Sequence, residues 1–178
     1  MPFRLATASL ALTLSLAGAC EMEEPEEELM LSAEIEMGLS VDGEGFYPTE
    51  QGSDQVLEYG AQGGMHLQIM PRFRGASGVV YLERSARLVD DGTLVLRSPT
   101  MVLDLPADAD ESWWHQPFAL TNFMCPTPVG IKLYDREVEF TYELRDKNDK
   151  LLAKDSLILM PRCPSEVEEF CHDVCSGN

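Results

Sequence analysis

Five cysteines are the residues whose chemistry this sequence constrains most tightly. Cys20 ends an apolar run near the beginning of the chain, whereas Cys125, Cys163, Cys171 and Cys175 all lie in its last third. In an oxidising compartment an even set of four cysteines indicates two disulfides, in any of three pairings. We therefore predict two disulfides among these four residues and leave their pairing open.

Both tryptophans of the chain are adjacent and are followed directly by a histidine: Trp113, Trp114 and His115. On a β-strand, neighbouring side chains point to opposite faces of the sheet. One tryptophan would then enter the core and the other would face solvent, where aromatic residues form recognition hot spots. We predict that these three residues belong to a binding surface.

A second kind of chemistry is offered by methionine and histidine, which are ligands that suit copper in an exported protein. His66 and Met70 are the central pair of this alternative, together with a scattered set of similar residues, Met65, Met101, His115 and Met124. Methionine also fills gaps in hydrophobic cores, and we favour that explanation here. We expect no cofactor, and a periplasmic copper-handling protein is kept as an alternative function.

Motifs for nucleophilic catalysis are poorly matched. The segment Gly75-Ala76-Ser77-Gly78-Val79 has valine where the G-x-S-x-G nucleophile elbow needs its last glycine, and no strand-turn-helix pattern surrounds it. The chain has only 3 histidines from which a catalytic base could be drawn. We predict a protein that is not an enzyme, with a small exported enzyme as a further alternative.

The charge balance is strongly acidic, because 31 aspartates and glutamates face 13 lysines and arginines, for a net charge of -18. A nucleic-acid surface needs a basic patch that neutralises phosphates, so we exclude nucleic-acid partners. Anionic lipid headgroups would also repel such a chain. Any attachment to a membrane must therefore be covalent.

The first residues have the features of an export signal. Arg4 precedes an uncharged run, Leu5–Ala17, which is shorter than the roughly 20 apolar residues of a transmembrane helix. The segment Ala17-Gly18-Ala19-Cys20 resembles a bacterial lipobox, with Ala17 where that pattern favours leucine. The resemblance implies cleavage before Cys20 and acylation of its thiol, so that lipid chains hold the protein on a membrane.

Three regions follow from this interpretation. Residues 1–19 form the signal peptide, residues 20–32 form an acidic tether rich in glutamate, and residues 33–178 form one domain with a cysteine-rich tail from residue 161.

The segment Gly60-Ala61-Gln62-Gly63-Gly64-Met65-His66 is similar to a motif of uncharacterised lipoproteins of Gram-negative bacteria. That resemblance implies an exported β-domain and no catalytic activity. Its glycines predict a tight turn, or a backbone approach too close for a Cβ atom.

Apolar and polar residues alternate with period two in several short segments, which is typical of β-strands with one buried face. The predicted strands are Ala33–Val41, Gln55–Tyr59, Met65–Met70, Val79–Val89, Thr93–Arg97, Met101–Leu105, Trp113–Phe123 with a break at Pro117, Gly130–Tyr134, Glu137–Leu144 and Leu151–Met160. Pro71 is expected at a strand end or sheet edge. Ser165 and Glu168 predict a capping box that begins a short helix.

Short strands separated by frequent turns indicate an all-β fold, and we predict an immunoglobulin-like β-sandwich with a disulfide-stapled C-terminal tail. Taken together, the sequence predicts a lipoprotein of the cell envelope, held by its N-terminal lipid on a bacterial membrane and either periplasmic or surface-exposed. Its expected role is that of a non-catalytic binding or structural module with an envelope protein or peptide as partner.

Overall fold

A computed structural model describes residues 31–41, 43–61, 63–128 and 130–177. The predicted signal peptide, Cys20 and nearly all of the acidic tether lie outside the described residues, as does Gln62 of the glycine-rich segment. The described chain is built almost entirely of β-strands. Their bounds are β1 Glu34–Val41, β2 Glu44–Tyr47, β3 Ser53–Val56, β4 Glu58–Tyr59, β5 Met65–Arg74, β6 Gly78–Leu88, β7 Leu94–Arg97, β8 Met101–Leu105, β9 Trp114–His115, β10 Leu120–Cys125, β11 Val138–Arg145 and β12 Leu151–Arg162.

The strands form two sheets. Sheet A has the order β10-β5-β1-β2, and β4 and β9 also pair with β5. Sheet B has the order β3-β12-β11-β6-β7, and β8 also pairs with β6. The β3–β12 pair is parallel, and the other pairs in the described chain are antiparallel. The predicted all-β, immunoglobulin-like sandwich is therefore confirmed.

The core lies between the two sheets, as the alternating pattern of β11 requires. Val138, Phe140, Tyr142 and Leu144 are all 0% exposed, and they share one face of sheet B. The facing residues of sheet A come from β5, whose pattern of burial alternates in the same way. The predicted strand Gln55–Tyr59 is divided in the structure, because the buried residue Leu57 separates β3 of sheet B from β4 of sheet A.

Three polar side chains meet inside this apolar core. Asn122 of β10 donates a hydrogen bond to the Tyr142 hydroxyl across the sandwich (3.0 Å), and Arg84 of β6 donates from Nη1 to the Thr121 carbonyl oxygen (3.2 Å). Asn122 and Tyr142 are fully buried, and Arg84 is only 9% exposed. Burial raises the pKa of the Tyr142 hydroxyl, so it stays neutral and takes part as a hydrogen-bonding group. These residues, which we call the polar joint, connect sheet A directly to sheet B.

Pro71 corrects an expectation, because it lies inside β5 rather than at a strand end. On one side of β5, Pro71 is opposite Met37 of β1. On the other side, β10 pairs with β5 as far as Ile69, and β9 pairs with it from Arg72 onwards. Pro71 falls in the gap between these two partners, so its missing N–H group removes no ladder hydrogen bond from that side.

Two further local predictions are wrong. Gly130–Tyr134 forms no strand, because its backbone bonds the C-terminal tail instead: the Gly130 N–H donates to the Gly177 carbonyl oxygen (2.8 Å). Ser165 makes no capping hydrogen bond. It begins a 3-10 turn in which the Val167 N–H donates to the Pro164 carbonyl oxygen (3.2 Å), and the α-helix, α1, spans Glu168–Val174. No helix in the described ranges has the length and apolarity needed to cross a membrane.

The tail is held by two disulfides, Cys125–Cys175 and Cys163–Cys171, as the cysteine count predicted. The first spans 50 residues and joins β10 to the end of the chain, whereas the second spans only 8 residues and closes the turn before α1. On the chain-entropy model a longer loop gives a larger stabilisation, about 4 kcal/mol for the first and about 2.5 kcal/mol for the second.

We therefore predict that the paired replacement Cys125→Ser and Cys175→Ser lowers the free energy of unfolding by about 4 kcal/mol on this model. The matched control is the paired replacement Cys163→Ser and Cys171→Ser, which opens the shorter loop and should lower the free energy of unfolding by less. Guanidinium denaturation of both variants measures the difference. An equal or larger loss in the control would contradict the assignment of the tail's stabilisation to the long loop.

Candidate binding surface

The end of β2 lies close against the outer side of β1, the strand with which it pairs in sheet A. This requires a glycine at position 38, because a Cβ atom there would lie 2.5 Å from the Tyr47 carbonyl oxygen and 2.8 Å from the ring of Phe46. Gly38 is directly opposite Met70 of β5, which is 0% exposed although it lies outside the main core. Phe46 and Tyr47 of β2, together with the outward side chains of sheet A beneath them, therefore form a thin outer layer at this point.

Within this layer, two arginines and two aromatic rings are stacked in alternation. The Arg72 guanidinium lies 4.2 Å from the ring centroid of Phe46 and 4.5 Å from that of Trp113, and the Arg74 guanidinium lies 4.8 Å from Trp113. Each such cation–π contact contributes about 0.5–1 kcal/mol at an exposed site and more when it is desolvated. We call these four residues the arginine–aromatic ladder.

Carboxylates of β1 hold both guanidinium groups of the ladder in place. Arg72 donates from Nε to Glu36 (2.8 Å), and Arg74 donates from Nη2 to Glu34 (2.7 Å). The hydrogen bond to Glu34 raises the pKa of Arg74. Because both arginine charges are compensated locally, the ladder presents ordered aromatic surface rather than a field of positive charge.

The adjacent tryptophans point to opposite sides, as predicted. Trp114 packs against the core, with its ring centroid 6.2 Å from that of Phe73. Trp113 lies on the outside as a member of the ladder. His115 is exposed, and its Nδ1 lies 2.7 Å from the Gln116 carbonyl oxygen. The structure thus brings Trp113 and His115 to the outer face of sheet A and removes Trp114 from it.

A shallow groove of about 580 Å³ lies at the edge of the same face. Its lining residues come from the glycine-rich segment, from β5 and from β10: Gly60, Ala61, Gly63, Gly64, His66, Thr121, Phe123, Cys125 and Pro126. Gly63 has a positive φ of 82°, and a Cβ atom on Gly64 would lie 2.6 Å from the Cys125 carbonyl oxygen. The glycines of this segment thus provide both the tight turn and the close backbone approach that the sequence predicted. We call this feature the glycine groove.

His66 and Phe123 supply the side-chain chemistry of the glycine groove. His66 Nε2 lies 3.3 Å from a Glu58 carboxylate oxygen, and its ring centroid is 6.0 Å from that of Phe123. Its Nδ1 is buried and has no hydrogen-bond partner among the described residues. Phe123 is 58% exposed, and Phe118, in the loop between β9 and β10, is 66% exposed. Large apolar side chains exposed to this degree beside a groove are typical of interaction surfaces.

The proposed copper ligands do not come together. His66 and Met70 lie four residues apart on the same strand, which places their Cα atoms about 13 Å from each other. Met65 and Met124 are buried in the core, and Met101 packs against it. In the described part of the chain, no group of three or more histidine, cysteine, aspartate or glutamate side chains is arranged to hold a metal ion.

Sequence reasoning identified Trp113 and missed its partners. Phe46, Arg72 and Arg74 were not selected, although the sequence Arg72-Phe73-Arg74 alternates with period two and so places both arginines on one face. For Phe123 the sequence predicts only the end of a strand. The alternation along each strand could have identified them, because Phe123 and Arg72 lie on the face opposite to the buried residues of their own strands.

Comparison with known proteins gives no family. No protein-family model matches the sequence, and no curated protein is similar to it. Among solved structures, the chain is similar to a glycosyl hydrolase family 2 member from Bacteroides cellulosilyticus DSM 14838, with 14% identity, a TM-score of 0.41, and coverage of 71% of this chain and 15% of that one. It is also similar to Bifidobacterium dentium beta-glucuronidase complexed with coumarin-3-O-glucuronide, with 9% identity, a TM-score of 0.35, and coverage of 72% and 18%. The chain thus matches less than a fifth of either enzyme's length.

The role of Gly38 gives a direct test of the surface. Gly38→Ala should displace β2 from β1 and lower the free energy of unfolding by about 1–3 kcal/mol, as overpacking does. Because Phe46 then leaves Arg72, the indole resonances of Trp113 should shift. Denaturation and NMR spectroscopy measure these two effects. Glu50→Ala, at an exposed position just after β2, is the control, and a Gly38→Ala variant with the stability and spectrum of that control would disprove the close contact.

Proposed function

We propose that this chain is a lipid-anchored module of the bacterial cell envelope that binds a protein or peptide partner through the outer face of sheet A and catalyses no reaction. The observation that carries this proposal is the combination, on one face, of the ordered arginine–aromatic ladder with the glycine groove and its exposed Phe123. A binding surface needs such preorganised side chains, because ordering them during association costs affinity.

The composition of the face favours a polypeptide partner. Tryptophan, phenylalanine and arginine are enriched in the cores of protein interfaces, and the face offers all three. The arginines of the ladder are already paired with Glu34 and Glu36, so they stack on aromatic rings rather than attract an anion. The glycine groove, bordered by Phe123 and by backbone at Gly60–Gly64, has the size to receive one or two apolar side chains of an extended segment.

The cysteines support the anchor and the compartment. Four of the five are used in two disulfides, which form and persist in oxidising compartments such as the periplasm. Both disulfides are formed by the other four cysteines, which leaves Cys20 of the lipobox-like segment as the cysteine we propose to be acylated. This arrangement agrees with export followed by lipid attachment.

A small exported enzyme is a second candidate, and one observation favours it. His66 lies beside the carboxylate of Glu58 within the glycine groove, which also contains the hydroxyl group of Thr121. A histidine oriented by a carboxylate is the arrangement of a general base. The Thr121 hydroxyl, however, donates its hydrogen to Gln68 Oε1 (3.3 Å) and not to His66. We therefore favour a binding function over a catalytic one.

The anchor is tested by intact mass spectrometry of the native protein extracted from membranes. We expect a chain that begins at Cys20 and carries diacylglyceryl and acyl groups, and whose mass rises by two hydrogens per disulfide on reduction. Cys20→Ser should release the protein from the membrane fraction, whereas Glu21→Gln should not. An unlipidated native mass would overturn the anchor and leave the binding surface untouched.

The binding face is tested by selecting peptides from a displayed random library against the full chain. We expect the selected peptides to contain apolar residues and to shift the resonances of His66, Thr121 and Phe123. Phe123→Ser should weaken the binding of a selected peptide about tenfold, because a buried aromatic anchor contributes 1 kcal/mol or more. Val102→Ser, on the outer face of sheet B, is the control and should change nothing.

The same peptides separate binding from catalysis. Glu58→Gln should leave their affinity unchanged, because Glu58 orients His66 and does not line the groove. Turnover of a library substrate that is abolished by Glu58→Gln and by His66→Gln would instead establish the enzyme alternative. Selected peptides that map to sheet B would contradict the choice of face.

A further inference from the structure

The arginines of this acidic protein fall into two groups. Of those in the described chain, Arg72, Arg74, Arg136, Arg145 and Arg162 each form a salt bridge with at least one carboxylate. Arg84, Arg87 and Arg97 form none with any described residue, and all three line the same groove on sheet B. In a chain with a net charge of -18, uncompensated positive charge at one place is unexpected unless it has a use.

This groove, which we call the arginine groove, has a volume of about 240 Å³ and lies where β7 and β8 separate on β6. Ser85 is central to its lining, because it is paired with Thr141 of β11 on one side and with Arg97 of β7 on the other. The remaining lining residues are Glu83, Arg84, Arg87, Leu94, Ser98, Thr100 and Glu143. The groove therefore combines guanidinium and hydroxyl donors, the groups that bind oxyanions.

The two carboxylates beside the groove are already engaged. Glu143 accepts a hydrogen bond from Arg145 Nη2 (2.6 Å), and its other carboxylate oxygen lies 3.1 Å from Lys154 Nζ. A carboxylate oxygen of Glu83 lies 3.6 Å from Arg145 Nε. Burial raises the pKa of Glu143, but the hydrogen bonds from Arg145 and Lys154 outweigh this and lower it overall. Both carboxylates thus have cationic partners outside the groove, Arg145 and Lys154, and neither forms a salt bridge with Arg84, Arg87 or Arg97.

Arg84 adds positive charge from the inner side of the sheet. Its side chain is 9% exposed, and its Nε is buried without a hydrogen-bond partner among the described residues. Its Nη1 bonds only neutral oxygens of β10, those of Thr121 and Asn122. A buried guanidinium without a carboxylate is costly, and an anion bound nearby would reduce that cost.

We propose that the arginine groove binds a phosphate or sulfate group. The Arg97 guanidinium makes no hydrogen bond to any described residue, so its fork of donors is available to a tetrahedral oxyanion. Arg87, which donates from Nη1 to the Gly92 carbonyl oxygen (2.9 Å), has further N–H donors, and the Ser85 hydroxyl completes the site beside the Thr141 hydroxyl, whose Oγ1 lies 3.2 Å from Ser156 Oγ. This site lies on sheet B, whereas the proposed partner surface lies on sheet A. The proposal of an anion site does not depend on the proposal of a partner surface.

The test is titration of the full chain with sodium phosphate and sodium sulfate at constant ionic strength, monitored by calorimetry and by the amide resonances of Ser85, Arg97 and Thr141. We expect saturable binding that sodium chloride does not reproduce. Arg97→Gln should weaken it about tenfold, the effect of losing one charge-assisted contact. Arg97→Lys should recover part of the affinity. Arg162→Gln, which removes the same charge from a paired arginine elsewhere, should have no effect.

A second titration identifies the source of the anionic group. If glucose 6-phosphate binds more tightly than inorganic phosphate, the group is carried by a sugar, and equal affinities indicate the free ion. Resonance shifts that are linear up to tens of millimolar phosphate would overturn the proposal, as would equal losses in Arg97→Gln and Arg162→Gln. Binding that emerges only when the glutamates of Glu21–Glu28 are replaced by glutamine would also overturn it, because the acidic tether would then be the occupant.

Discussion

The polar joint of Arg84, Asn122 and Tyr142 determines how the two sheets face each other. A hydrogen bond between Asn122 and the Tyr142 hydroxyl crosses an otherwise apolar core, and a misplaced partner would leave buried polar groups unsatisfied, at a cost of about 1–3 kcal/mol each. Hydrophobic contacts tolerate small shifts between packed sheets, but a hydrogen bond of 3.0 Å does not. The joint therefore determines which side chains of β6, β10 and β11 face inward, and it does so more strictly than the packing of leucine, valine and methionine around it.

The outward surfaces follow from this inward contact, because side chains alternate along every strand. With Asn122 directed inward, Thr121 and Phe123 must face the glycine groove on sheet A. With Arg84 directed inward, Ser85 and Arg87 must face the arginine groove on sheet B. A slip of one residue in β10 would exchange its inner and outer side chains and destroy the glycine groove, and the same slip in β6 would destroy the arginine groove. One buried contact thus connects a surface suited to a polypeptide with a surface suited to an oxyanion, although the two lie on opposite sides of the sandwich.

Much of the fold was predictable from sequence, since strict alternation in Glu137–Leu144 and paired turns indicate a sandwich and the cysteine count indicates two disulfides. The failures share a physical cause, which is that long-range partners decide the local outcome. Gly130–Tyr134 is apolar enough for a strand, yet the tail occupies its backbone groups, and Pro71 is tolerated inside β5 because two neighbouring strands end there. The candidate site was only half predictable for the same reason: Trp113 was visible as an unusual residue, whereas Phe46 reaches Arg72 of β5 only because Gly38 lets β2 approach the outer side of β1.

Hydrogen exchange at the polar joint tests most directly whether this contact locks the two sheets together. The Tyr142 hydroxyl proton and the Asn122 side-chain amide protons can be followed by NMR spectroscopy beside the backbone amides of β11. If the joint holds the sandwich in register, these side-chain protons exchange only when the whole domain unfolds, with the same free energy and the same denaturant dependence as the most protected amides. The contradicting result is rapid exchange of the Tyr142 and Asn122 protons that does not depend on denaturant while the β11 amides stay protected. That result would show that the joint opens locally and that apolar packing alone determines the relative position of the two sheets.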